Sequence, residues 1–498
     1  MSLSTILSRA VVGTNAPEVS VEVHLSRGLP SCAIVGLPET AVKESRDRVR
    51  GAIINSGFEF PRQRIIVSLA PADLPKEGGG FDLPIALGIL VASGQLRINN
   101  PSQFVFLGEL ALGGTLRPVK GALVAGLSMR DSDQTLVLPA PSAEQAALIR
   151  NIRVLALDSL QSVSGFLSDP EAAPRVKPSF SPDLRTFADF SEVIGQPFAK
   201  RALEIAAAGY HSILLHGPPG AGKTMLASRL GGIMPRMNDD EALETAAILS
   251  LRHNGFDPSL WRQRPFRSPH HSSSAAALIG GGGIPTPGEV SLAHNGVLFL
   301  DELPEFSRHV LEQLREPMES GVVHISRARR QCSFLARFLL VGAANPCPCG
   351  YLGNPDRCQC TSQQLARYRQ RLSGPLLDRI DMHIAVQGLD RVEMHAGIGE
   401  NESSACIQPR VEAAMERQMH RQGRSNSRLD GAQLHEFCSL TLAQERLLDQ
   451  VDERFNLSTR GIHRILKVAR TVADLSARER IVDDDLLLAT KLRCAGSF

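Results

Sequence analysis

The segment Gly217-Pro218-Pro219-Gly220-Ala221-Gly222-Lys223-Thr224 constrains the architecture more than any other stretch of this chain. It matches G-x-x-x-x-G-K-[ST], a loop that works only between a buried strand and the first turn of a helix. Ser212 to His216 supplies the apolar strand, and Met225 to Leu230 supplies the helical start. The glycines let consecutive backbone N–H groups turn inward and cradle phosphates. Lys223 is placed to neutralise the β- and γ-phosphates of ATP, and Thr224 to ligate Mg²⁺. The expected fold class around this loop is α/β, with a parallel sheet buried on both faces.

Downstream, Val297-Leu298-Phe299-Leu300 is a continuous apolar strand that ends in Asp301-Glu302. A carboxylate at a strand tip beside a phosphate loop can hold Mg²⁺, which assigns Asp301. Glu302 is then placed to polarise the attacking water. The next apolar strand, from Phe338, ends in Asn345, whose amide can position that water or sense the γ-phosphate. Arg379, in Leu377-Asp378-Arg379-Ile380-Asp381, is a candidate to reach a neighbouring subunit's nucleotide. A salt bridge to Asp378 or Asp381 is the equally weighted alternative. Arg460 opens a basic-apolar helix and can reach the γ-phosphate, with Arg464 one turn on as its competitor.

At 498 residues the chain is too long for one core. Residues 1–165 mix strands and helices, with the apolar run Phe104 to Leu110 read as one strand, and a Pro-rich linker is expected at 166–186. Residues 187–388 carry the ATPase pattern, with a Cys-rich insertion at 347–360. From 389 to 498 the apolar residues recur at helical spacing, which predicts a helical lid. No apolar run reaches the ~18 residues of a membrane helix, and no signal peptide is evident, so a cytoplasmic protein without a membrane partner is expected. The net charge of +2 means that any nucleic-acid binding must come from a local basic surface. One Trp and three Tyr argue against an aromatic platform for stacking bases.

Four of the nine cysteines form two C-x-C pairs, Cys347 with Cys349 and Cys358 with Cys360. Gly350, Gly353, Asn354 and Pro355 can turn the chain between them. Four thiolates would make a closed tetrahedral Zn²⁺ site, structural in kind, and four reduced thiols in a loop are the alternative. His270 and His271 lack a third ligand nearby, so a structural or loop-contact role is expected of them.

The motifs Arg264-Pro265-Phe266-Arg267-Ser268-Pro269-His270-His271, Pro287 to Gly296, and Leu300 to Phe306 resemble those of the magnesium-chelatase-type AAA+ ATPases. Asn345-Pro346-Cys347-Pro348-Cys349-Gly350 narrows the resemblance to the ComM/YifB group. It spans essentially the whole chain. It implies an AAA+ phosphate-loop core with a helical lid, working as a homo-oligomeric ring, a hexamer. It also implies ATP-driven branch migration of DNA, a helicase-like activity, during natural transformation. On that pattern Lys223 and Thr224 are Walker A, Asp301 and Glu302 Walker B, and Asn345 sensor 1. Arg379 matches the finger and Arg460 sensor 2. Arg327, Arg329 and Arg330 fall where such motors carry a pore-facing hairpin, which would grip DNA phosphates. Ordinary solvated arginines are the plainer reading. A magnesium-chelatase-type metal-insertion or remodelling ATPase is the alternative function. Residues 1–165 resemble an α+β Lon-protease-like domain. Gly80 stands at its serine position and Val124 near its lysine position, so proteolysis is not expected.

Overall fold

The computed structural model describes residues 3–168, 187–252, 255–282, 285–327, 330–354, 356–388 and 401–494. From residue 169 on, the expected linker lies outside them. Residues 3–168 build a seven-stranded mixed sheet. Its order is Ser31–Val35, Arg64–Ala70, Glu18–Ser26, Leu3–Arg9, Phe104–Phe106, Thr135–Leu138 and Arg153–Ala156. The alternation in Glu18–Ser26 buries Val19, Val21, Val23 and Leu25 on one face. Val21 pairs with Ile6 on one side and Leu69 on the other, so the three strands present one apolar face. The helix Asp82–Ala92 buries all but one of its residues. This explains why its sequence reads as uniformly apolar and carries no amphipathic stripe. The run from Phe104 to Leu110, expected as one strand, divides after Phe106. Gly108 turns away from the sheet to donate its N–H to the Gly80 carbonyl at 3.0 Å.

The second sheet is fully parallel. Its order is Phe266–Arg267, Val297–Leu300, Leu339–Ala344, Ile213–His216 and Met382–Ala385. Both Val297–Leu300 and Leu339–Ala344 are buried along their whole length, as strands covered on both faces must be. The antiparallel hairpin Val322–Arg327 and Arg330–Leu335 precedes the Leu339 strand. The C-terminal helices share the core of this sheet. Ile407, Val411 and Ala414 of Ser404–Gln422, and Ile465, Val468 and Ala469 of Thr459–Leu475, join the same buried cluster as Leu203, Ile213 and Met382. Gln418 seals the joint by donating to the Ala208 carbonyl at 2.9 Å. Among the described residues no helix is long and apolar enough to cross a membrane.

The two sheets are joined directly. Leu123, Ala125 and Ala143 on one side pack into a cluster with Leu243, Ala246 and Phe256 on the other. Arg130–Asp240 at 2.7 Å and Arg150–Asp239 at 2.6 Å flank it. The turn at Gly13-Thr14 sits on the hairpin. Thr14 Oγ1 donates to the Ser333 carbonyl at 3.4 Å, and a Cβ at Gly13 would lie 2.7 Å from that oxygen.

Candidate active site

The phosphate loop leaves the C-terminal end of Ile213–His216 and enters the helix Lys223–Arg229. Gly220 at φ 78° and Gly222 at φ 87° take the left-handed conformation that the turn requires. Gly217 has no room for a side chain, because a Cβ there would lie 2.0 Å from the Val386 carbonyl. Lys223 is buried, and its Nζ donates to the Gly217 carbonyl at 2.6 Å, to Pro218 at 2.9 Å and to Asn345 Oδ1 at 3.1 Å. Burial lowers the pKa of its ammonium below the ordinary lysine value, and the charge of Asp301 acts against that shift. Thr224 Oγ1 donates to Asp301 Oδ2 at 2.8 Å. Two oxygens that resemble Mg²⁺ ligands thus meet beside the loop, a donor set of the hard kind this ion selects.

Parallel pairing produces this convergence. Leu300 lies in register with Gly342, and Ile213 with Val341, so three strand tips end side by side. Asp301, Glu302 and Asn345 are carried on those tips. Glu302 holds φ 51°, a left-handed conformation that costs a non-glycine residue about 1–3 kcal/mol. Its backbone N–H donates to Asp301 Oδ1 at 2.9 Å, which helps to hold that turn.

His271 meets Glu302, with Nδ1 3.1 Å from Oε2. Its ring also stands edge-on to Phe306 and lies 4.1 Å from the His270 ring, centroid to centroid. The expected loop contact is therefore a contact with the Glu302 carboxylate. Local sequence carries no signal for this contact, which depends on the pairing of Phe266–Arg267 with Val297–Leu298 that delivers the following loop beside Glu302.

Arg379 and Arg460 are brought together, away from the loop. Arg379 is 7% exposed, donates to the Pro375 carbonyl at 2.7 Å and pairs with Glu319 at 2.9 Å. Neither Asp378 nor Asp381 is its partner. Asp381 instead accepts from the Ser212 N–H at 3.0 Å and pairs with His211 and Arg464, while Asp378 faces Arg493. Burial alone would raise the Asp381 pKa, yet Arg464 and His211 hold it well below the ordinary carboxylate range. Arg460 is exposed and stands 3.7 Å from the same Glu319 oxygen. Arg379, Arg460, Arg464 and Glu319 line a cavity of about 520 Å³ at Ser212 and Asp381, where Ile213–His216 and Met382–Ala385 begin. The phosphate loop lies where those strands end. Five residues of strand, about 16 Å, separate Ser212 from Gly217.

The four cysteines converge. Sulfur separations are 3.3 Å for Cys347–Cys349, 3.6 Å for Cys349–Cys358 and 3.9 Å for Cys347–Cys358, and all four sulfurs lie within 4.8 Å of one another. Tetrahedral zinc with Zn–S of about 2.3 Å needs sulfurs about 3.8 Å apart, so the set fits. A backbone hydrogen bond from Tyr351, then thiol contact with Cys347, brings the Cys349 thiol down to about 6. The loop also touches the nucleotide site. A Cβ at Gly350, which is at φ 85°, would lie 2.6 Å from Pro219 Cδ.

Of the hairpin arginines, Arg329 lies outside the described residues, as do the side chains of Arg327 and Arg330. The backbone pairs Arg327 with Arg330 at the far end of the ladder.

Comparison with known proteins gives matches along nearly the whole chain. Residues 189–394 match the family described as magnesium chelatase, subunit ChlI. Residues 21–142 match subunit ChlI of Mg-chelatase, and residues 401–493 match magnesium chelatase, subunit ChlI C-terminal. The chain is 49% identical over 494 residues to the uncharacterized protein YifB of Escherichia coli (strain K12), covering 99% of this chain and 97% of that protein. It is 48% identical over 499 residues to the competence protein ComM of Haemophilus influenzae, covering 99% and 98%. The chloroplastic magnesium-chelatase subunit ChlI-2 of Arabidopsis thaliana is 25% identical over 205 residues, 40% of this chain and 43% of that protein.

Proposed function

The chain belongs to the ComM/YifB family of magnesium-chelatase-like AAA+ ATPases, and from that membership we propose that it is a ring-forming, ATP-hydrolysing DNA motor. Its task is branch migration, a helicase-like movement of DNA junctions during recombination of incoming DNA in natural transformation. The observation that carries the ring is the separation of Arg379 from its own phosphate loop by about the length of a strand. An arginine finger so placed serves the nucleotide of the next subunit. Arg460 shares its cavity and its Glu319 partner, and serves that same neighbouring site. Six copies closing head to tail would complete every site. Support for DNA comes from the name competence protein borne by one relative and from the arginines at the end of the hairpin.

In each site Gly217, Pro218, Pro219, Gly220, Ala221 and Gly222 wrap the phosphates, and Lys223 answers their charge. Thr224 and Asp301 would hold Mg²⁺, which would supply charge neutralisation at the phosphates. Glu302 takes the proton of the attacking water and Asn345 orients that water. Cys347, Cys349, Cys358 and Cys360 would hold a structural Zn²⁺ that braces Pro219 from outside.

The test is ATPase rate and junction movement with and without single-stranded and forked DNA. DNA should raise hydrolysis and junctions should move. Glu302→Gln should bind ATP yet do neither. A rate indifferent to every DNA, with static junctions, would sink the motor. It would leave the metal-insertion or remodelling reading, which the chelatase family match favours.

A further inference from the structure

The N-terminal sheet has an outer edge at the strand Ser31–Val35, which pairs on one side only, with Arg64–Ala70. Against this edge lies a cleft of about 840 Å³. The helix Thr40–Asn55 forms one wall, the start of the edge strand another, and the connection Phe58 to Gln63 runs between them. Nothing in the ATP chemistry uses it.

The sequence makes this cleft basic and aromatic together. Arg46 and Arg50 lie one helical turn apart and share a face of the helix. The Arg50 guanidinium lies over the Phe60 ring at 5.6 Å. Phe58 and Phe60 are both half-buried and line the cleft. Arg62 is exposed, and its side chain makes no ion pair or hydrogen bond among the described residues. Two acids, Asp47 and Glu59, line the cleft with these three guanidinium groups, and Asp47 is taken up by Arg46 at 3.2 Å.

The connection is held in place from behind. The Glu59 N–H donates to Gln95 Oε1, and Gln95 Nε2 donates to the Glu59 carbonyl, both at 2.8 Å. Arg50 and Arg62, two arginines held in one cleft without a carboxylate partner, invite a polyanion. Ring faces among them suit a polymer whose bases are free to stack, which selects a single strand over a duplex. An acidic peptide would answer the charge and leave the rings unused. The scarcity of Trp and Tyr hid this surface, because its rings are phenylalanines.

We propose that this cleft is a second DNA-contact site, gripping the backbone of single-stranded DNA through Arg50 and Arg62 and stacking bases on Phe58 and Phe60. The choice of DNA as the polymer rests on the motor reading above.

The test is binding of a fluorescently labelled thymidine homopolymer to the full chain across a salt series. The double variant Arg50→Ala, Arg62→Ala should bind at least tenfold more weakly, with basal ATPase unchanged. Its plot of log affinity against log salt should be shallower by about 1.4, from about 0.7 per lost phosphate contact. Phe60→Leu should weaken binding and keep the slope. Wild-type affinity and slope in the double variant would overturn the site while leaving the motor standing. A wild-type chain that binds no DNA would overturn both. Displacement by polyglutamate as effective as by unlabelled DNA would reassign the cleft to acidic peptides and overturn the proposal. Photocrosslinking of bromodeoxyuridine-substituted DNA to the wild type gives an answer that depends on no variant. Crosslinks within residues 58–64 support the site, and crosslinks confined to other segments refute it.

Discussion

Glu302 is held at two levels, its backbone in the left-handed region and its carboxylate against His271. In the proposed role of general base, Glu302 must be both close to its water and correctly aimed, and a flexible glutamate meets the second condition poorly. His271, whose ring stands against Phe306 and His270, would supply the aim. Replacing it with alanine is expected to lower kcat about tenfold, a barrier change of about 1.4 kcal/mol, with KM for ATP near wild type. Steady-state kinetics with and without DNA decide it. A change confined to KM would make His271 a nucleotide-binding residue. Asp301 and Glu302 could be found from one dimension, because both terminate an apolar strand. His271 could not, because its relation to Glu302 runs across a strand pair that local sequence does not encode.

The Cys-rich loop is an element whose fold and effect are separable. Its two C-x-C pairs are visible in the sequence, and the structure brings all four sulfurs to metal-binding separations. Its contact with the phosphate loop was invisible, since Gly350 and Pro219 lie far apart in sequence and meet only where two strand tips end together. Metal analysis of protein never exposed to chelator should find about one zinc per chain. Cys349→Ser should lower zinc content and melting temperature, and should raise KM for ATP by loosening Pro219. Zinc-free protein with unchanged nucleotide affinity would detach this loop from the site. The apolar strands were legible for a related reason. Val297–Leu300 and Leu339–Ala344 are buried on both faces, so burial alone dictated their composition. The run from Phe104 misled because its departure after Phe106 is set by the Gly80 turn, a partner distant in sequence.

For the whole molecule, the displacement of Arg379 from its own loop makes a prediction that no single chain can satisfy. Chains carrying Lys223→Ala supply a good arginine and a dead loop, and chains carrying Arg379→Ala supply the reverse. Each alone should be inactive. Co-expressed in equal amounts, about a quarter of the interfaces should join an intact loop to an intact arginine, and activity should return in that proportion. An inactive mixture of well-assembled rings would mean that each subunit completes its own site. The sequence identified Arg379 and Arg460 as arginines of interest, but their common cavity depends on the placement of Thr459–Leu475 beside the start of the sheet. That placement is a property of the assembled core.

The seat of Thr14 on Ser333 joins residues 319 positions apart, and this imposes a timetable on the nascent chain. Ribosomes add about 5–20 residues per second, so the first partner waits on the order of 16–60 s for the second. Over part of that interval the apolar flank at Leu123 and Ala143 has no cover, because Leu243, Ala246 and Phe256 are still unmade. The half-synthesised polypeptide therefore displays a greasy surface that the finished one conceals, and it is at that stage that chaperones find most to hold.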